Sequence, residues 1–139
     1  MRQAIHHFSI STKGRGLVEM TPLVAGWVAR QEIATVLLTL FCRHTSASLL
    51  IQENADPAVR TDLAAWFAAA APEDPDRYVH TTEGPDDMPA HIRTALTQTH
   101  LAIPVEDGRM VLGTWQGVYL FEHRASPHSR HLVLHYLGD

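Results

Sequence analysis

The sequence predicts a single α+β domain with mostly antiparallel, sandwich-like sheets and two to three short helices. Three stretches have the apolar spacing of amphipathic helices, and the segments between them alternate or run apolar like strands. The strands near the carboxyl end follow one another through short turns, which is typical of antiparallel pairing. The 139 residues form one domain over 1–139, because two separate cores need a longer chain.

The amino-terminal part of the chain predicts a hairpin, a helix and a buried strand. Residues 2–11 alternate like a strand, and a turn at Lys13–Gly16 leads into the short apolar stretch 17–20. A Thr-Pro pair and the apolar stripe after it predict a helix over 21–32. Residues 33–43 are β-branched and almost entirely apolar, so we expect a central strand covered on both faces. This strand places His44 at its carboxyl end.

The rest of the chain predicts two helices and then a run of strands. Asp56 and Pro57 are a helix cap and first-turn pair, and the apolar spacing continues to Pro72. A loop rich in Pro and Asp follows over 73–85, and a third helix is predicted from Asp86. The remaining residues predict strands over 101–105, 109–124 and 130–137.

Composition and charge exclude several classes of protein. Eleven Lys and Arg residues against 15 Asp and Glu give a net charge of −4, which argues against nucleic-acid binding. The longest apolar runs are too short to span a membrane, and the alternating first residues do not resemble a secretory signal, so we expect a cytoplasmic protein. Cys42 is the single cysteine, which excludes an internal disulfide and a cysteine zinc set; its apolar neighbours predict a buried thiol.

Ten histidines are the unusual feature of the composition. His44, His80 and His91 lie at the ends of predicted elements or in a loop. Three imidazoles that leave one position open form a typical zinc site. Spacing alone also allows three unrelated surface histidines, because no short ligand motif connects them. A second conceivable metal group comprises His123, His128, His131 and His135.

Carboxylates and hydroxyls accompany these histidines. Asp87 and its neighbour Asp86 begin the third predicted helix, where they either orient a metal-bound histidine or stabilise the helix start. Thr45 and Ser46 follow His44 directly and are suited to an anion, although a turn without function has the same composition. Thr114, Gln116 and Arg124 share one parity of the predicted strand 109–124, so all three would face one cleft.

Several blocks of the sequence resemble the YjbQ-like family, also called the secondary thiamine-phosphate synthase family. They are HTSASLLIQEN from His44, YVHTTEGPDDMPAHI from Tyr78 and IPVEDGRMVLGTWQGVYLFEHR from Ile103, with RHLVLHYLGD closing the chain. The resemblance implies an α+β homotrimer with a metal pocket near a subunit boundary. It also implies that His44, His80 and His91 are the metal ligands.

The family name implies thiamine-phosphate synthase activity. That reaction expels pyrophosphate and needs a cation to stabilise the leaving group. Because imidazoles suit zinc better than magnesium, we expect this activity to be weak and another phosphorylated compound to be the main substrate.

Two hypotheses about function follow. In the first, the protein is a metal-dependent enzyme that acts on a phosphorylated small molecule. Zinc bound by the three histidines would activate water or polarise a phosphoryl oxygen, with Asp87 or Glu53 as the catalytic carboxylate. Substrate would contact Thr45, Ser46, Thr114, Gln116 and Arg124. In the second, the protein is a trimer that binds a metabolite or anion without catalysis.

Overall fold

Eight strands and three α-helices make up the computed structural model, which describes residues 1–139. The strands are β1 (Arg2–Ser11), β2 (Gly16–Glu19), β3 (Val36–Cys42), β4 (Ala47–Glu53), β5 (His100–Glu106), β6 (Arg109–Met110), β7 (Gln116–Glu122) and β8 (Ser129–Gly138). The helices are α1 (Thr21–Arg30), α2 (Pro57–Ala70) and α3 (Asp87–Leu96), and a 3-10 turn spans Pro75–Arg77.

The strands form two antiparallel sheets. A five-stranded sheet has the order β1-β8-β3-β5-β6, and a three-stranded sheet has the order β2-β7-β4. Buried side chains of both sheets and of α1 form one apolar core, with Leu38, Leu49, Leu120 and Val24 fully buried in it. The predicted α+β class with mostly antiparallel sheets is therefore confirmed.

Two strand predictions are corrected by the pairing. β1 and β2 do not form a hairpin: β1 pairs with β8 and β2 with β7, because the turn between them carries the chain from one sheet to the other. The central strand is covered on one face only. Leu37 and Phe41 of β3 are about half exposed, whereas Leu38 and Leu40 are buried.

The predicted long strand over 109–124 is interrupted. β6 ends at Met110 and β7 begins at Gln116, with a turn between them in which the Gly113 N–H donates to the Gln116 side chain. This turn moves the chain from the five-stranded sheet to the three-stranded one. β4, which follows His44, was not predicted as a strand.

The three helices lie where the sequence predicts them. Asp56 accepts a hydrogen bond from the Ala58 N–H at 2.9 Å and so caps α2, as its position before Pro57 indicates. α3 begins at Asp87, one residue after the predicted start. No helix has the length and apolar character needed to cross a bilayer. Cys42 is buried, as predicted, and burial raises its thiol pKa to about 11.

Candidate metal centre

A cluster of two histidines and one aspartate lies at the start of α3. Asp87 and His91 are four residues apart and therefore on one face of the helix, and His80 reaches them from the preceding loop. His80 Nε2 is 2.7 Å from Oδ2 of Asp87, and His91 Nε2 is 3.1 Å from the same oxygen. The three ligand atoms lie within 4.8 Å of one another. Two imidazole nitrogens and a carboxylate oxygen thus converge on one point.

Arg124 holds the carboxylate of this cluster in place. Its Nη1 donates to Oδ1 of Asp87 at 2.7 Å, which leaves Oδ2 facing the two histidines. The same guanidinium donates to Oδ2 of Asp86 and to the carbonyl of Glu83, each at 3.0 Å. Because Asp86, Asp87 and the Glu83 carbonyl already accept from these donors, the geometry does not favour the predicted role of Arg124 as a phosphate ligand.

The surroundings of Asp87 keep it ionised. Burial alone would raise the pKa of this carboxyl, but the hydrogen bond from His80 and the charges of His91 and Arg124 outweigh burial and lower it. The pKa of Asp86 is lowered in the same way: the hydrogen bonds from the Ala125 N–H and Arg124 outweigh the effect of burial. Both aspartates are thus acceptors and poor general acids at neutral pH.

The ring of His91 has a defined proton position. Its Nδ1 is 3.0 Å from the carbonyl oxygen of Thr45, and a carbonyl can only accept, so Nδ1 carries a proton. In a neutral ring, Nε2 then has a lone pair, and this lone pair faces the Asp87 carboxylate. Two acceptors placed 3.1 Å apart require a positive charge between them, either a second proton on His91 or a metal ion.

His44 lies outside this cluster. Its Nε2 accepts a hydrogen bond from the His131 N–H at 2.6 Å, and its Nδ1 is 3.4 Å from Arg130 Nη1. Burial and then the charge of Arg130 lower the pKa of His44, which keeps the ring neutral. His44 instead borders a cavity of about 400 Å³ whose walls also include Thr45 and His91. The cluster therefore contains Asp87, with His80 and His91, in place of the predicted His44.

Ser46 belongs to the buried interior beside the cluster. Its hydroxyl and carbonyl accept from Arg130 Nη2, at 3.0 and 3.1 Å. Arg130 in turn pairs with the fully buried Glu122. Ser46 is therefore part of this buried network, in which its hydroxyl oxygen already accepts from Arg130. Thr45 is accessible and remains beside the cavity.

Glu53, Thr114 and Gln116 lie at the other end of the three-stranded sheet. Glu53 is paired in register with Gln116, the first residue of β7, whereas Arg124 lies two residues past the end of β7. Eight residues of extended chain span about 26 Å. Within one chain, these three residues are thus remote from the cluster. The prediction that one cleft holds all the strand residues fails because the turn before β7 and the strand pairing place Gln116 and Arg124 at opposite ends.

The second histidine group predicted near the carboxyl end does not form a metal cluster. His80, Asp87 and His91 are the one set of possible ligands that converges in the chain. His123 is buried, and its Nε2 is hydrogen-bonded to Oγ of Ser48 at 2.8 Å. The Asp87–His91 spacing was the sequence signal that could have revealed the third member of this cluster, because residues four apart share a helix face.

The fold and this cluster define a small two-sheet α+β protein with a histidine–aspartate centre at a helix start. The model of the UPF0047 YjbQ-like family matches residues 6–139. The chain belongs to this family.

Individual relatives cover nearly the whole chain. A UPF0047 protein of Synechocystis is 55% identical over 130 residues, which are 94% of this chain and 88% of that protein. YjbQ of Escherichia coli is 40% identical and covers 94% and 95% of the two chains. A conserved hypothetical protein of Thermus thermophilus is 34% identical with a TM-score of 0.82, over 93% and 97% of the two chains. A YjbQ/UPF0047-family structure from Clostridium acetobutylicum is 29% identical with a TM-score of 0.86, over 95% and 99%. The comparisons establish the family and the fold but assign no activity.

Proposed function

We propose that the protein is a metal-dependent enzyme that acts on a phosphorylated small molecule, with His80, Asp87 and His91 as the ligands of a divalent ion. The observation that carries the proposal is the His91 ring, which donates from Nδ1 to the Thr45 carbonyl and directs Nε2 at Oδ2 of Asp87. Metal-bound histidines generally donate their second ring nitrogen to a carbonyl or carboxylate. A cation between Nε2 and Oδ2 also removes the conflict of two facing acceptors.

The donor set suits zinc. Two imidazoles and one carboxylate are a common ligand set of catalytic zinc, in which the fourth position is left for water or substrate. Arg124 binds the other oxygen of Asp87, as expected of a residue that orients a ligating carboxylate. This ligand set revises the one predicted from sequence by placing Asp87 where His44 was expected.

The residues around the centre have separate tasks under this proposal. A bound ion would supply Lewis-acid chemistry for a phosphoryl oxygen or for water. Thr45 fixes the proton position of His91, and Arg124 fixes the direction of Asp87. His44, kept neutral, borders the adjoining cavity, with its Nε2 accepting from the His131 N–H. We retain weak thiamine-phosphate synthase activity as one reaction to assay.

Metal analysis of the purified protein tests the ligand set. We expect about one divalent ion per chain in the wild type, and loss of that ion in His80→Ala, Asp87→Ala and His91→Ala. His44→Ala is the matched control and should retain it. Retention of the ion in Asp87→Ala together with its loss in His44→Ala would overturn the assignment, as would a wild type that binds no ion after incubation with zinc.

A non-catalytic binding protein is the second candidate function. The observation that favours it is the position of the two predicted catalytic carboxylates: Asp87 is a proposed ligand, and Glu53 lies at the far end of the sheet. Phosphorylated metabolites, including the two thiamine precursors, should be assayed for both binding and turnover, with and without chelator. Metal-dependent turnover supports the enzyme, whereas metal-independent binding without turnover supports the second candidate.

We also propose the homotrimer that the family resemblance implies. In a single chain Glu53, Thr114 and Gln116 are too far from the centre to touch the same small substrate, so their predicted roles require a neighbouring subunit. Exposed Leu37, Phe41 and Leu137 on the outer face of the five-stranded sheet are consistent with contacts between chains. Light scattering after gel filtration should give three times the 15.5 kDa chain mass. A monomeric mass would exclude all three residues from the site.

A further inference from the structure

The turn between β1 and β2 forms a concave surface that neither function hypothesis uses. Residues 11–18 enclose a space of about 400 Å³, and Lys13 and Arg15 are the charged side chains in its wall. Lys13 is the only lysine of the chain. Lys13–Gly16 lacks the pattern of a nucleotide-binding loop, in which a Gly-Lys pair is followed by Ser or Thr.

This turn lies directly beside the proposed metal centre. A Cβ at Gly14 would stand 2.9 Å from the carbonyl oxygen of Ala125, and Gly14 has a φ of +150°, so the backbone approaches closely only with glycine here. The N–H of Ala125 donates to Asp86 at 2.8 Å. Asp86 shares the Arg124 guanidinium with Asp87. Ala125, Asp86 and Arg124 therefore connect the turn to Asp87 of the proposed metal centre.

Lys13 is the cation of this turn that has no acidic partner. Arg15 forms an ion pair with Glu73, whereas Lys13 is exposed and has no carboxylate partner. Arg93 contacts the same segment as Arg15, because its Nη2 donates to the carbonyl of Ala71, two residues before Glu73. Arg93 is only 6% exposed, and its Nε has no partner. A buried cation without a counter-charge is unfavourable, and an anion held nearby would relieve it.

Arg124, the cation beside the proposed metal centre, has its donors on Asp86, Asp87 and the Glu83 carbonyl. A phosphate group that approaches the metal centre therefore needs a different cationic partner.

We propose that the Lys13–Gly16 turn is an anion site that binds the phosphate group of a small phosphomonoester, with Lys13 and Arg15 as its cationic ligands. Lys13 supplies an unpaired ammonium on a flexible stem, a common way to bind phosphate. Arg15 adds a guanidinium of which Nη2 alone contacts an acid, Glu73. The identity of the ligand as a substrate rests on the proposed function; the anion site itself does not require the metal. The reacting end of the same molecule would extend past Ala125 towards His80 and His91.

Phosphate titration of the metal-stripped, full-length protein tests this site. At constant ionic strength, inorganic phosphate and glycerol phosphate should each bind to the wild type, as followed by calorimetry. Lys13→Gln should weaken both at least tenfold, and Arg109→Gln, which removes an exposed cation on β6, should leave both unchanged. Equal affinity in the wild type and Lys13→Gln, or no phosphate binding in the wild type, would overturn the proposal.

Lysine reactivity gives a second measurement that does not depend on a variant. Because Lys13 is the only lysine, acetylation by an active ester can occur on one side chain and on the Met1 amine, which serves as the internal control. Phosphate should slow acetylation of Lys13 several-fold and leave that of Met1 unchanged; equal effects on both amines contradict the site. The two proposals can also fail separately. If neither the wild type nor the variants bind metal but phosphate still binds to the wild type and to His80→Ala, the proposed metal centre is wrong and the anion site is supported.

Discussion

Arg124 contacts Asp87 on the side of the carboxylate opposite the two histidines, with Nη1 2.7 Å from Oδ1. The arginine comes from the end of the three-stranded sheet and the aspartate from the first turn of α3. This contact ties the helix to the sheet and sets the direction of the oxygen that the histidines share.

Replacement of Arg124 should therefore weaken metal binding without removing a ligand. We expect Arg124→Met to lower zinc affinity by about 10–100-fold, the usual effect of losing a residue that orients a metal ligand. Competition with a chromophoric chelator measures the affinity. Arg109→Met is the matched control and should bind as the wild type does. An Arg124→Met protein with wild-type affinity would show that Asp87 is oriented by other contacts.

The charge of Asp87 should stabilise the metal-free fold in a pH-dependent manner. Its folded pKa lies below the ordinary value of 3.8, so its contribution is present above that value and is lost as the pH falls through the lower folded pKa. In chelator at pH 7, Asp87→Asn should reduce the free energy of unfolding by about 1.5–3 kcal/mol. Urea denaturation should show this difference shrinking below pH 4. A difference that stays constant down to pH 3 would contradict the assignment.

The Glu122–Arg130 pair should be sensitive to the loss of one partner. Glu122 is fully buried, and Arg130, Thr12 and backbone N–H groups satisfy its oxygens. Removing the arginine leaves an uncompensated buried charge, so Arg130→Met should lower the free energy of unfolding by about 3–5 kcal/mol. The double variant Glu122→Gln/Arg130→Met should lose less. Equal losses in the two variants would mean that packing, not charge, dominates.

His123 should make the protein less stable in mild acid. Burial, with a further contribution from Arg93, lowers its pKa from 6.5 to about 3. Between these values the unfolded chain binds a proton that the folded chain does not, so stability falls as pH falls, by up to about 1.4 kcal/mol per pH unit. His123→Gln should reduce this slope between pH 6 and 4, as followed by urea denaturation in chelator. Parallel curves for the two proteins would contradict a neutral buried His123.

Patterns along the chain were sufficient to predict the helices and the fold class. The Asp56–Pro57 pair marks the start of α2, and Asp87 and His91 take one helix face because they are four residues apart. These signals are local: they reflect backbone preferences and the period of the helix, which hold wherever the segment lies. The ten histidines already indicated a zinc site, and the family resemblance implied His44, His80 and His91 as its ligands.

The tertiary structure decided which predicted residues meet. His44 turns its ring to the His131 N–H, and the pairing of Glu53 with Gln116 puts both at the far end of the sheet. Ring orientation, strand partners and the break before Gln116 depend on contacts between segments far apart in sequence, which no local period encodes. Composition and local pattern determined the class of the fold and its candidate ligands; long-range packing placed Asp87 rather than His44 beside His80 and His91.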